Sequence, residues 1–319
     1  MKQEIFQFTG YEATPLRAVL WLPDSEPKAV LQITHGMTEH IGRYRRLAEH
    51  LTAYGIVTAG FDLRGHGENP GDPHCASFGE NGWKASLEDM RLFSAYLNQQ
   101  FPGCPRFMLG FSLGSFLLRE YMNRYGDKIA GAAVLGTGYQ PSPVLSIMIS
   151  IVKSQIAKAG FDSTTPLVKK LSFDTYNRQF APSRTVSDWL CSDDMELDAY
   201  LADPLCRESI STGLFCSLLE SMKRTGGKDA YDAWPKTVPV LLLSGRNDPV
   251  GSSGKGVPVV KKAMDRAGLK NVMIHLFEGA RHDILHEEAS GCADNARQIL
   301  ADWIINHTGS TVSETQISE

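Results

Sequence analysis

The sequence predicts an α/β fold: a mostly parallel central sheet flanked by helices, with an inserted helical cap. Three observations predict it. Short apolar runs alternate with helix-type segments along most of the 319 residues, the pattern of repeated strand and helix units. Several of those runs, among them Ala29-Val30-Leu31-Gln32-Ile33-Thr34 and Val238-Pro239-Val240-Leu241-Leu242-Leu243, are nearly continuous in apolar residues, as strands covered on both faces are. Residues 137–228 break the alternation with helical segments and clusters of Ser, Thr, Pro and Asp, and they hold no convincing strand.

Residues 3–9 and 17–22 read as two strands joined through Gly10 and Pro15, and residues 29–34 as a third. A helix over 44–54, a strand over 56–61, a Gly- and Pro-rich loop to Gly79 and a helix over 82–100 follow. Arg106-Phe107-Met108-Leu109 is a short strand, residues 115–122 begin a helix, and 129–135 form a further strand. Beyond the interruption come a strand over 238–243, a helix over 257–267, a strand over 272–277 and a closing helix over 287–306. These limits divide the chain into a first core segment (1–136), a helical cap or lid (137–228), a second core segment (229–307) and a flexible polar tail (308–319). In such a sheet the ligand site lies at the carboxyl ends of the strands, and the cap is laid over them.

Composition narrows the function. With 42% hydrophobic and 21% charged residues and a net charge of -4, the chain has the make-up of a soluble enzyme, and its scattered Lys and Arg leave no footprint for nucleic acid. Glu4 falls where a signal peptide would be apolar, which points to a cytoplasmic protein. The six cysteines form no C-x-x-C pair and stand near no histidine at zinc-ligand spacing, so neither disulfides nor a structural metal is expected. No apolar stretch approaches the roughly 18 residues of a membrane span; the nearest, residues 143–152, is interrupted by Ser146 and Ser150.

Gly110-Phe111-Ser112-Leu113-Gly114 stands between a strand and a helix. That arrangement is a nucleophile elbow, whose sharp turn lifts the Ser112 hydroxyl clear of the sheet, and a Cβ at Gly110 or Gly114 would collide with neighbouring backbone. A serine hydroxyl is a weak nucleophile at neutral pH, so an imidazole must take its proton and a carboxylate must orient that imidazole. Asp248 follows the strand 238–243 and His282 follows the strand 272–277, and the order Ser112, Asp248, His282 suits this elbow. His286, read as opening the last helix, and His275, read as facing a packed layer, are set aside. Asp283 adjoins His282 and cannot readily bend back to it.

A tetrahedral intermediate needs backbone donors for its negative oxygen. Leu113 N–H, after the nucleophile, is one. The second is Met37 N–H in His35-Gly36-Met37-Thr38-Glu39-His40, where Gly36 lets the backbone approach the substrate and His35 completes the supporting loop. Glu39 and His40 read as holding this loop by hydrogen bonds, and two charges of Asp62-Leu63-Arg64-Gly65-His66-Gly67 as bracing it.

These motifs, with Gly42-Arg43-Tyr44, Ser244-Gly245-Arg246-Asn247-Asp248-Pro249-Val250 and Glu278-Gly279-Ala280-Arg281-His282-Asp283-Ile284-Leu285-His286-Glu287, resemble the α/β-hydrolase superfamily. Within it they are similar to the monoacylglycerol lipase and lysophospholipase-like group, also called serine aminopeptidase S33-like hydrolases. The resemblance covers nearly the whole chain. It implies a serine hydrolase without cofactor, acting on small-molecule acyl esters of glycerol or lysophospholipid, with a helical cap around an apolar acyl tunnel. The apolar residues Val144, Leu145, Ile147, Met148, Ile149, Ile151 and Val152 suit such a tunnel, a transient membrane or micelle contact, or plain packing. Two rivals stand beside this reading: an S33-type aminopeptidase, holding a substrate ammonium with Asp193, Asp194, Glu196 and Asp198, and a non-catalytic ligand-binding protein on the same fold.

Overall fold

The computed structural model describes residues 1–309; the tail expected over 308–319 lies, from residue 310 onward, outside the described residues. Its strands are β1 (Lys2–Thr9), β2 (Pro15–Leu22), β3 (Ala29–Thr34), β4 (Ile56–Phe61), β5 (Cys75–Ala76), β6 (Arg106–Phe111), β7 (Gly131–Leu135), β8 (Ser209–Ile210), β9 (Val240–Gly245) and β10 (Val272–Phe277). Eight of them form one sheet in the order β1-β2-β4-β3-β6-β7-β9-β10. The pairs β1/β2 and β2/β4 are antiparallel, and every pair from β4 to β10 is parallel.

The helices are α1 (Arg45–Thr52), α2 (Gly82–Gln100), α3 (Leu113–Tyr125), α4 (Ser142–Ala159), α5 (Pro166–Leu171), α6 (Phe173–Asn177), α7 (Asp194–Ala202), α8 (Thr212–Thr225), α9 (Gly256–Arg266) and α10 (Cys292–His307). Strands β3, β4, β7 and β9 are buried at every residue because helices cover both faces of the sheet. Alternate residues therefore feed two cores. Leu31, Ile33, Phe107 and Leu109 join Leu47, Leu51, Leu300 and Ile304 of α1 and α10 on one face. Val30 and Met108 join Phe93, Met122, Val260 and Met264 of α2, α3 and α9 on the other.

Helices α4 to α8 all lie between β7 and β9. The expectation of no strand in 137–228 is corrected in one place: Ser209–Ile210 pairs in parallel with Cys75–Ala76, tying this block to the loop after β4. Two residues lack the length to show a strand pattern in sequence. The closing helix begins at Cys292 rather than 287, so His286 precedes it by several residues in a turn. Ile41–Tyr44 is a separate 3-10 turn before α1. His275 is exposed rather than packed, because β10 is an edge strand with Met273 and His275 on its open side and Phe277 buried.

The strand order reverses around β3, which has β4 on one side and β6 on the other. Loops leaving the carboxyl ends of β3 and β6 therefore diverge and open a crevice between them.

Candidate active site

Ser112 stands in that crevice, between β6 and α3, with φ 50° and ψ -116°, a strained backbone for a residue carrying a side chain. Its N–H donates to Leu135 O (3.0 Å) and its carbonyl accepts from Ser115 N–H (2.8 Å), which ties the turn to β7 and to α3. A Cβ on Gly110 would lie 2.3 Å from Gly114 O, and one on Gly114 would lie 2.1 Å from Thr34 O. Both obstacles are backbone and cannot yield.

His282 is 1% exposed and sits between the rings of Phe111 and Trp189, at centroid distances of 4.9 and 5.0 Å. Its Nδ1 lies 2.9 Å from Asp248 Oδ1. The approach is oblique: the groups are in contact, yet neither ring nitrogen completes a well-aligned hydrogen bond among the described residues. Asp248 is wholly buried, with Oδ1 accepting from Val250 N–H (2.8 Å) and Oδ2 from the Ser244 hydroxyl (3.1 Å). Gly136, at φ +56°, walls the imidazole slot; a Cβ there would meet Phe111 Cε2 at 2.9 Å and His282 Cε1 at 3.0 Å. Phe111, Gly136 and Trp189 had no assigned role from sequence, and only the glycine closing a strand was a visible signal.

The loop after β3 is held from inside. Leu63 N–H donates to His35 Nε2 (2.9 Å), which leaves His35 Nδ1–H to donate to Gly36 O (2.7 Å). Burial lowers the His35 pKa to about 4, so the ring is neutral near pH 7 and its tautomer is fixed by its two partners. The C=O and N–H of one peptide unit point in opposite directions, so pinning Gly36 O fixes the direction of Met37 N–H. Among the described residues neither Met37 N–H nor Leu113 N–H has an acceptor. Glu39 accepts from Gly36 N–H (2.5 Å) and Tyr44 Oη (2.8 Å). That carboxylate, with Phe111, also explains the glycine: a Cβ on Gly36 would lie 2.9 Å from Glu39 Oε1 and 3.0 Å from Phe111 Cδ1.

Arg43, quoted in a motif but given no role, joins two loops. It donates to Glu39 Oε2 (2.5 Å) in the loop after β3 and to Asp283 Oδ2 (2.8 Å) beside His282. Asp283 Oδ1 also lies 2.9 Å from His286 Nδ1. Burial works against its ionisation, and His286 and Arg43 more than reverse this, holding the carboxyl well below the usual range. The expected brace from Arg64 is corrected: it pairs with Asp89 at 2.6 Å, away from this loop, while Asp62 Oδ1 accepts Ile41 N–H (2.8 Å). His66 packs its ring 5.4 Å from that of His35.

Ser112, His282, Met37, Phe111 and Arg43 line one small cavity of about 20 Å³. Phe173, Trp189, Leu190 and Tyr200 line both it and a neighbouring cavity of about 680 Å³, reaching Val168, Val186, Leu201 and Ile210. The acidic residues of the aminopeptidase rival are engaged elsewhere. Asp193 caps α7 and accepts Ala289 N–H (2.8 Å), Asp194 and Asp198 pair with Arg184, and Glu196 pairs with Arg46.

Residues 25–289 match the profile of a hydrolase family described as serine aminopeptidase, S33. The chain belongs to that family. It is an α/β-hydrolase similar to the monoacylglycerol lipase of Mycolicibacterium smegmatis, 25% identical over 94% of this chain and 96% of that one. The human monoglyceride lipase is 27% identical over 90% of this chain and 86% of its own. Among solved structures, a thermostable carboxyl esterase from Bacillus coagulans superposes with a TM-score of 0.86 at 22% identity, covering 97% of this chain and 99% of that one, a likeness of fold.

Proposed function

We propose that this S33-family protein is a carboxylic ester hydrolase that cleaves monoacylglycerol- or lysophospholipid-type acyl esters through an acyl-enzyme on Ser112. The observation that carries the reading is the convergence of Ser112 and His282 on one cavity, with Asp248 2.9 Å behind the imidazole. Ser112 Oγ attacks the ester carbonyl while His282 takes its proton, and the imidazolium is stabilised and oriented by Asp248. The oxyanion accepts from Met37 N–H and Leu113 N–H. Collapse expels the alcohol, which takes the proton back from His282; water then repeats the sequence and releases the acid.

The acyl chain extends past Phe173 and Trp189 into the 680 Å³ cavity, a volume within the usual range of about 300–1,000 Å³ for small-molecule sites. Short to medium acyl chains are preferred in water-soluble assays. Asp193, Asp194, Glu196 and Asp198, the carboxylates considered for a substrate ammonium, are engaged by other partners, which favours esters over aminopeptidase substrates. The apolar face of α4 left open by its packing on α8, Val144, Ile147 and Ile151, is the surface offered to a micelle or membrane.

Labelling by a fluorophosphonate, lost in Ser112→Ala, tests the nucleophile, and turnover of p-nitrophenyl esters of graded length against aminoacyl-p-nitroanilides tests the substrate class. Faster anilide cleavage would establish the aminopeptidase. No labelling of folded wild type would leave the binding protein standing.

A further inference from the structure

The lid grips the loop after β3 at three points that the ester-hydrolase mechanism does not use. Tyr200, in the last turn of α7, has its hydroxyl 2.8 Å from Thr38 Oγ1. The Thr38 hydroxyl already donates to Met37 O (2.5 Å), so in this pair the phenol is the donor. Asp203, just past α7, has Oδ2 2.8 Å from His40 Nε2, and Arg207 N–H donates to Thr38 O (3.0 Å).

What these contacts hold is unusual. Thr38 has φ +62°, a left-handed backbone that a β-branched residue keeps only when its surroundings over-determine it. It directly follows Met37, so relaxation of Thr38 moves the Met37–Thr38 peptide, whose Met37 O accepts the Thr38 hydroxyl, and through Met37 Cα disturbs the preceding peptide that carries Met37 N–H. His35 pins the Gly36–Met37 peptide from the core side through Gly36 O, and the lid holds Thr38, on the far side of Met37, through Tyr200 and Arg207. The Tyr200 ring is itself fixed, with the Arg43 guanidinium 4.9 Å from its centroid and Arg43 anchored by Glu39 and Asp283.

We propose that Tyr200 is a positioning residue for the reaction: its hydroxyl holds Thr38 in the left-handed conformation, and thereby aims Met37 N–H at the developing oxyanion. This rests on the reading of Ser112 as the nucleophile of an ester hydrolase. Helix α7 is then part of the machinery that stabilises the transition state, and a displaced lid leaves the nucleophile present but the second oxyanion donor misdirected. Competing with this is a simpler role, since Tyr200 also lines both cavities and a wall residue alters how substrates fit.

The two roles separate kinetically. Tyr200→Phe keeps the ring and its stacking on Arg43 and removes only the hydroxyl; Thr38→Val removes the partner and keeps the β-branch. We expect Tyr200→Phe to lower kcat about 10- to 100-fold on p-nitrophenyl esters of every chain length, a fraction of the loss seen when an oxyanion donor is deleted. KM and melting temperature stay near wild type. A trifluoromethyl ketone reports on the same hole: Ser112 Oγ adds to its carbonyl carbon, the serine proton passes to His282, and the former carbonyl oxygen carries the charge. Its affinity falls by the same factor as kcat/KM, and the double variant is no worse than the more impaired single one. Unchanged kcat, or a defect confined to KM that varies with acyl length, overturns the proposal and leaves Tyr200 a wall. If wild type neither hydrolyses any ester nor binds the ketone, the underlying ester-hydrolase reading falls, and that outcome is distinguishable because it appears before any substitution is made.

Discussion

Two carboxylates lie close to His282 in sequence or space, and their partners assign them different work. Asp248 contacts the imidazole and is otherwise held by Ser244 and Val250, whereas Asp283 faces Arg43 and His286. Asp248→Asn is expected to lower kcat by about 10⁴-fold with little change in stability, by loss of the correct imidazole tautomer. Asp283→Asn leaves the buried Arg43 short of a partner and is expected to cost about 3–5 kcal/mol in a urea titration. Equal kinetic losses in the two variants would contradict the assignment. Gly114→Ala sets a Cβ 2.1 Å from Thr34 O and 2.6 Å from His35 O, so it is expected to destabilise by about 1–3 kcal/mol or more and to depress turnover by moving the loop after β3. At this scale, residues with a local signature were legible: Ser112 in its glycine-flanked pentapeptide, Asp248 and His282 in loops after strands. Arg43, Gly136 and Trp189 were not, because their importance comes from partners 240, 146 and 93 positions away.

Helix α4 shows how an element divides its duties. Leu145, Ile149 and Val152 are buried and Val144, Ile147 and Ile151 are 45, 64 and 40% exposed, so a helix read in sequence as richly apolar, though interrupted by Ser146 and Ser150, has one packed stripe and one open stripe. Composition alone cannot separate these, since both stripes are aliphatic and the buried partner, α8, is remote in sequence. Leu145→Ala is expected to cost about 2–5 kcal/mol, as core truncations do. Ile147→Glu, on the open stripe, is expected to change stability by no more than about 0.5 kcal/mol and to leave turnover of a soluble ester intact. On micellar monoacylglycerol the same variant is expected to lose activity, measured as initial rate above the critical micelle concentration. Equal rates on both substrate forms would remove α4 from the interfacial role. Strand positions were easier to read than helix ends, because continuous apolarity marks β3, β4 and β9 directly. The turn over 287–291 and the two-residue β8 depend on tertiary contacts that no local pattern records.

Over the whole molecule, acid stability follows from where the histidines lie. Neutral His35 and His66 sit beneath the loop after β3, their pKa values lowered to about 4 and about 3 chiefly by burial, with His66 further depressed by its histidine neighbour. In the unfolded chain both bind protons near pH 6.5. Between pH 6.5 and about 4 the unfolded state thus holds more protons than the folded one, and folding stability must fall as pH falls. The slope contributed is up to about 1.4 kcal/mol per pH unit for each histidine. The contribution is fully present above pH 6.5 and is lost progressively below it, continuing toward pH 3 for His66. Urea midpoints taken at pH 7.5, 6, 5 and 4.5 should decline steadily, with the steepest loss below pH 6. Because His35 also fixes the Gly36–Met37 peptide, its protonation removes the acceptor that Leu63 N–H uses, so ester turnover should be lost together with the fold in the pH range where unfolding begins. A midpoint that stays level from pH 7.5 to pH 5 would mean that both rings find charge-stabilising partners in the acid form, and that the loop carrying Met37 is less tightly enclosed than its contacts indicate.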